Sequence, residues 1–268
     1  MRKTLGIVSI LVLLTFSGCA QNCPECACEA KVDNSVCTGA EAKPEAAKGE
    51  ATPVVAGAET IALPKPIAVD VSITKALENR RSIRSFTDEM ISLQDLSNLL
   101  WSANGVNRED GKRTAPSSRN KQSVSIYVAF EQGAYLYDFK AHQLTRVVDT
   151  DLRMNDESPL ELIFVSNHAA QEDTPEAREK AALVRGIDAG TASENAALYC
   201  AAAGLATVIR MYHTPQPEKA AALKLTDQDK MLFLMNVGFE GESTSPPACR
   251  PPPLHKWRGG IDICLRQM

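Results

Sequence analysis

The sequence predicts an α+β fold, and three observations carry that prediction. Val124, Ile126, Val128 and Phe130 alternate with Ser125, Tyr127 and Ala129, and two strand-like runs follow across turn-like residues. A long alanine-rich helical region begins at Thr174-Pro175, a cap followed by proline at the first helical position. Strands and helices are intermixed without the regular βαβ alternation of a parallel sheet. The chain has 268 residues with 44% hydrophobic content, enough for one substantial core.

The elements can be justified in order. Arg2 and Lys3 form a positive start, and Leu5 to Phe16 is an apolar run too short to span a bilayer comfortably. Phe16-Ser17-Gly18-Cys19 resembles a bacterial lipobox, in which the cysteine is diacylated and becomes the new N-terminus; Phe16 departs from the usual leucine. Residues 1–18 are thus expected to be a lipoprotein signal peptide and Cys19 the lipidation site. Ordinary cleavage, with Cys19 a plain thiol, is the alternative. Loss of Arg2 and Lys3 takes the formal charge from -4 to -6. Residues 19–68 read as a tether: cysteine-rich at first, then Ala, Glu, Lys, Pro and Gly without sustained period, hence disordered. About 40 flexible residues give an end-to-end distance of roughly 35 Å, enough to hold a domain clear of lipid headgroups.

The folded domain is expected over 69–268. Ser72 caps a short helix with Ile73, Ala76 and Leu77 on one face. Ser92 and Asp95 have capping-box spacing ahead of Leu93, Leu96, Leu99, Leu100 and Ala103, with Gly105 as the stop. Val124–Phe130 reads as a half-buried strand, and 134–139 and 143–148 complete an antiparallel meander. Leu160–Ser166 is a further strand. The helix from Thr174 is expected to break or bend near Gly186 and to end at Gly204; 206–211 is a strand, Thr214-Pro215 opens another helix, and 231–239 is a buried strand.

Charge and cysteines narrow the chemistry. A net charge of -4 suggests neither a nucleic-acid partner nor an acidic membrane surface. Asn79–Phe86, NRRSIRSF, therefore stands out: it packs three arginines and two serines into eight positions. Guanidinium groups pair bidentately with oxyanions, and a phosphate monoester carries nearly two charges, so two or more cations suit it. A surface ion-pair patch with Glu78, Asp88 and Glu89 is the competing reading. Cys23, Cys26, Cys28 and Cys37 fit local disulfides in an exported segment, or, by one clean C-x2-C pair, a metal site. His142, His168, His213 and His255 fall in turns or segment ends, where exposure is expected. Cys200 reads as a small buried hydrophobe.

Four stretches, in order, resemble the nitroreductase-like flavoproteins, and within them the short SagB/ThcOx-type azoline oxidases. They are Arg80–Phe86; Pro116-Ser117-Ser118-Arg119-Asn120-Lys121-Gln122; Asp188–Leu198 with Gly204–Val208; and Asn236–Phe239. The resemblance implies an antiparallel-rich central sheet flanked by helices and FMN as cofactor. It implies that Arg80, Ser82 and Arg84 meet the phosphate and ribityl hydroxyls, with Arg81 in an ion pair or on the ribityl chain. By the same resemblance Pro116, Ser117, Ser118, Asn120 and Gln122 form a loop whose asparagine reaches the flavin ring. Ile209, Arg210 and Met211 lie near N5, Arg210 being otherwise a solvated strand-end arginine. Lys256 and Arg258 return to the phosphate, or form an exposed basic tail. Members commonly dimerise, so a homodimer is implied.

Taken together the expectation is a membrane-tethered FMN-dependent oxidoreductase facing the periplasm, acting on a small-molecule or peptide substrate that the sequence leaves open. Nicotinamide nucleotides are cytoplasmic, so oxidase-like discharge to oxygen, a quinone or a redox partner suits that side. The alternative is a non-enzymatic lipoprotein using the fold, or the N-terminal cysteines, to bind flavin, metal or a redox partner.

Overall fold

The computed structural model describes residues 57–154, 157–167, 174–212 and 216–242. Cys19, the cysteines at 23, 26, 28 and 37, His168, His213, His255, Lys256 and Arg258 lie outside the described residues, as does the Thr214-Pro215 helix start.

Among the described residues seven strands form one sheet: β1 (Thr60–Ala62), β2 (Val124–Phe130), β3 (Gly133–Asp138), β4 (Gln143–Val148), β5 (Leu160–Ser166), β6 (Ala206–Met211) and β7 (Lys230–Gly238), in the order β1-β4-β3-β2-β5-β7-β6. All six neighbouring pairs are antiparallel, so the meander 2-3-4 is present as expected. Four α-helices among the described residues accompany it: α1 (Ile73–Asn79), α2 (Leu93–Asn104), α3 (Pro175–Ala203) and α4 (Pro217–Ala222).

Local chemistry sets most of the boundaries. The Ser72 hydroxyl accepts the Lys75 N–H at 3.2 Å, and the Thr174 hydroxyl accepts that of Ala177 at 3.2 Å. Ser92 accepts the Asp95 N–H at 3.0 Å and donates to the Asp95 carboxylate at 2.7 Å, closing the α2 cap. Gly204 ends α3 with φ at 73°, a left-handed conformation that suits glycine. Gly105 ends α2 for a different reason: a Cβ there would stand 2.5 Å from the Trp101 ring.

Four expectations are corrected. The domain starts before Val69: β1 pairs with β4 and buries Ile61, while Ser97 donates to the Pro64 carbonyl at 2.5 Å. A three-residue strand carries no readable period; pairing with β4 makes it a strand. The helix α3 runs 29 residues through Gly186 without interruption. A single glycine costs about 1 kcal/mol in a helix, and alanine-rich packing against sheet and α2 outweighs it. The strand β2 is buried on both faces rather than one, because the sheet is covered on both sides. Leu96, Leu99, Leu100, Ala192 and Ala196 pack over Ile126 and Phe130 on one side. Leu152, Ile163 and Leu223 gather with Tyr127 and Ala129 on the other. Finally, α1 buries Ala76 but leaves Ile73 63% and Leu77 56% exposed, so its apolar face is not a core face within this chain.

His142 is likewise not a solvated turn residue. Its Nδ1 stands 2.9 Å from the Tyr137 hydroxyl, and its Nε2 lies 2.7 Å from the Ser97 hydroxyl and 3.1 Å from the Pro64 carbonyl. The Pro64 carbonyl only accepts, so Nε2 carries the proton and Nδ1 accepts from Tyr137. Burial holds the His142 pKa below its ordinary value, opposed by the Pro64 carbonyl. The unfolded chain therefore binds the proton first, and stability falls as pH drops through the unfolded histidine value near 6.5 toward the lower folded one. His142→Asn keeps a residue suited to the φ of 50° and is expected to flatten that part of the stability curve in urea titrations between pH 5 and 8. An unchanged pH profile refutes the role.

Candidate functional site

The arginine loop begins where α1 ends: Arg80 donates its N–H to the Ala76 carbonyl at 2.9 Å as the helix cap. From there backbone bonds tie the loop to β6 and to the end of β7. Ile83 donates to Thr207 at 2.9 Å, Thr87 to Phe239 at 3.0 Å, Gly241 to Ser85 at 3.0 Å, and Phe86 bridges Glu240. Ser85 donates its hydroxyl to the Glu242 carbonyl at 2.6 Å. Gly241 is held by close approach, since a Cβ there would lie 2.6 Å from the Phe86 carbonyl oxygen. Gly241→Ala is expected to push the loop off β7 and cost about 1–3 kcal/mol, read as a lower urea midpoint; an unchanged midpoint counts against this anchoring.

The arginines point outward from this frame. Arg81 pairs with Glu240 at 3.2 Å, the ion-pair outcome foreseen for it. Arg80 is 3.9 Å from Glu194 of α3, with both side chains largely exposed, a separation that contributes little in water. Arg84 and Ser82 are exposed, and Arg84 has no ion pair among the described residues. The local carboxylates Glu78, Asp88 and Glu89 do not pair with the cluster: Glu78 is taken by Lys75 at 3.5 Å. The surface-patch reading therefore holds for Arg81, through a distant partner, and leaves Arg84 a spare cation.

The loop of Pro116, Ser117, Ser118, Asn120 and Gln122 is built around unusual backbone. Arg119, Asn120 and Gln122 have φ of 51°, 53° and 53°, conformations that cost non-glycine residues energy and persist where surroundings enforce them. Asp188, buried on α3, accepts the Ser118 N–H at 3.0 Å, and Ser117 accepts the Gln122 N–H at 3.0 Å. The Gln122 amide donates to the Gly111 carbonyl at 2.9 Å. Ser117 and Gln122 thus hold the loop's shape, while Pro116 and Asn120 are exposed. Asp188 and Glu194 meet the two loops about 9 Å apart along the α3 axis, so one helix carries both.

On β6, which forms the sheet's edge, Ile209 is 41% and Met211 67% exposed. Arg210 is neither free nor a strand-end arginine in solvent: it pairs with Glu157. Behind it lies a polar knot that sequence reading missed. Glu161, fully buried, accepts the Met154 N–H at 2.7 Å and the Asn236 amide at 2.9 Å; the same amide donates to Ser158 at 2.8 Å. Tyr212 is pushed up out of its ordinary range by burial and by Glu161. Glutamate inside a strand of apolar neighbours was the available signal. Cys200 is buried as expected, and burial raises its pKa, which leaves it a packing residue rather than a nucleophile. Among the described residues no group of three or more His, Cys, Asp or Glu is placed to hold a metal ion, and no helix is long and apolar enough to cross a membrane.

Comparison with known proteins places this geometry. Residues 77–239 match the model of the Nitroreductase family. A crystal structure from Ralstonia eutropha JMP134, provisionally named a nitroreductase, is 33% identical; the match covers 75% of this chain and 95% of that one, with a TM-score of 0.62. A second, from Anabaena variabilis ATCC 29413 and likewise provisionally named, is 16% identical over 68% of this chain and 42% of its own, TM-score 0.56, a likeness of fold alone. A curated Methanocaldococcus jannaschii protein, also provisionally a nitroreductase, is 29% identical over 100 residues, 35% of this chain; the match spans half the length of that relative.

Proposed function

Since the chain belongs to the nitroreductase family, we propose that it is an FMN-dependent oxidoreductase. The observation that carries the reading is the arginine loop sewn along β6 and β7, with Arg84 in no ion pair among the described residues and Ile209 and Met211 exposed on the edge strand β6. Spare guanidinium beside exposed apolar side chains fits a ligand with a phosphate at one end and a planar ring at the other. The residues present therefore fit FMN. Arg80, Ser82 and Arg84 would hold the phosphate and ribityl end, a role proposed also for Lys256 and Arg258, which lie outside the described residues. Pro116, Ser118 and Asn120 would meet the ring, Ser117 and Gln122 keep their loop in shape, and Ile209, Met211 and the backbone at Arg210 would add further contacts.

When bound, the flavin supplies a reversible two-electron acceptor, so the chain needs no nucleophile of its own. Its residues bind, orient and shield: Asp188 fixes the Ser118 backbone, and the Glu157–Arg210 pair holds the strand end that carries Ile209 and Met211. We further propose an anchored protein: Cys19 acylated after removal of 1–18, residues beyond it acting as tether, the domain facing the periplasm as a homodimer. On that side the electron source is the organic substrate, an azoline-oxidase-like direction of flow, and the acceptor is oxygen, a quinone or a redox protein.

The test is the visible spectrum of natively purified full-length protein, followed by acid release and chromatography. Flavin absorption bleached by dithionite, with FMN released, is expected. A colourless protein that takes up no added FMN overturns the reading in favour of a binding or structural lipoprotein.

A further inference from the structure

A slot opens where β2 and β3 part. The two strands pair from Phe130↔Gly133 to Tyr127↔Leu136, yet β2 begins at Val124 and β3 ends at Asp138. These two stretches, paired to β5 and β4 but not to each other, border a cavity of about 290 Å³, whose lining includes Arg113, Ile126, Leu136, Phe139 and Thr145. Arg113 is 5% exposed. One of its Nη groups donates to the Val124 carbonyl at 3.0 Å, its guanidinium carbon lies 3.2 Å from the centre of the Phe139 ring, and its Nε has no partner. No carboxylate pairs with it among the described residues. Burial pulls its pKa down to about 10, so it stays charged at neutral pH.

A buried guanidinium is costly unless paired, and one carbonyl and one ring offset only part of that cost. Three other polar groups of the slot are already committed. The Tyr137 hydroxyl bonds to His142, the Asn104 amide donates to Val124 at 3.2 Å, and Asp138 accepts the Lys140 and Ala141 N–H groups at 2.9 and 3.0 Å. What Arg113 lacks among the described residues is a paired negative charge, and the wall beside it is apolar.

We propose that this slot binds a small monocarboxylate with an apolar body, its carboxylate paired to Arg113 and its body against Val124, Ile126 and Leu136. Charge balance selects the ligand class: one buried guanidinium matches one anionic charge, and Asp138 on the rim disfavours a dianion such as phosphate. A second, much smaller void is also lined by Arg113, together with Pro116, Ser117, Gln122 and Asp188. A carboxylate drawing on Arg113 therefore acts at the base of the loop assigned to the flavin, although the slot itself does not depend on that assignment.

The experiment is isothermal titration calorimetry of the full-length protein with benzoate at constant ionic strength, alongside benzamide and inorganic phosphate. Saturable benzoate binding at one per chain is expected, with none for benzamide or phosphate. Arg113→Met is expected to weaken benzoate at least about tenfold, the loss of charge-assisted hydrogen bonds. Thr145→Trp, a substitution at the exposed mouth of the slot, is expected to do the same by filling it. No saturable benzoate binding overturns the proposal, as does an equal response to benzamide or phosphate. So does unchanged affinity in a folded Arg113→Met protein or, where circular dichroism finds that variant unfolded, in Thr145→Trp.

Discussion

Replacing both Arg80 and Arg84 with alanine is expected to yield a folded but colourless protein. Each guanidinium–phosphate contact contributes about 1.5–3 kcal/mol, so loss of two lowers flavin affinity at least about a hundredfold. Folding should survive, because both side chains are exposed and the loop is held by backbone bonds from Ile83, Thr87 and Gly241 rather than by arginine. Arg81→Ala should have a smaller effect, since that side chain is engaged with Glu240. The measurement is bound flavin per chain after gel filtration, with far-UV circular dichroism as control. A double variant that stays as yellow as the parent overturns the phosphate assignment.

Glu161→Leu is expected to cost about 3–5 kcal/mol, the range for removing one member of a buried charged network. The carboxylate holds two separate elements, the Met154 backbone and the Asn236 side chain of β7, from a fully buried position at the start of β5. Leucine fills the volume but leaves the Met154 N–H without that acceptor and the Asn236 amide with Ser158 alone. Lys219, whose pKa burial lowers and Glu161 raises, also loses an opposing charge. A melting point lower by on the order of 10 °C should result. A melting point within about 2 °C of the parent means that the knot is replaceable by packing.

These two sites differ in how far the sequence disclosed them. The arginine loop was legible because three guanidinium groups in eight residues are unusual in an acidic chain, but its partners were not. Sequence proximity pointed to Glu78, Asp88 and Glu89; the fold supplies Glu194 and Glu240 instead. Arg210 could be read as a ligand contact or a solvated end, and the fold replaces the solvated end with an ion pair to Glu157. The Pro116–Gln122 loop was found as a motif, while its dependence on Asp188 of α3 and on left-handed backbone was not.

By itself the sequence determined the α+β class, the bounds of β2, β4, β5 and β6, the caps at Ser72, Ser92 and Thr174, and the stop at Gly204. Those features depend on side chains within a few residues of one another: alternation, a hydroxyl facing its own helix, a glycine free to turn left-handed. Only the tertiary structure decided that Ile61 joins a strand, that α3 runs on through Gly186, and that Ile73 and Leu77 stay exposed. It also decided that Arg113 is buried with no paired carboxylate among the described residues. Each of these is set by what a distant segment brings near, and burial and pairing energies belong to that neighbourhood rather than to the residue.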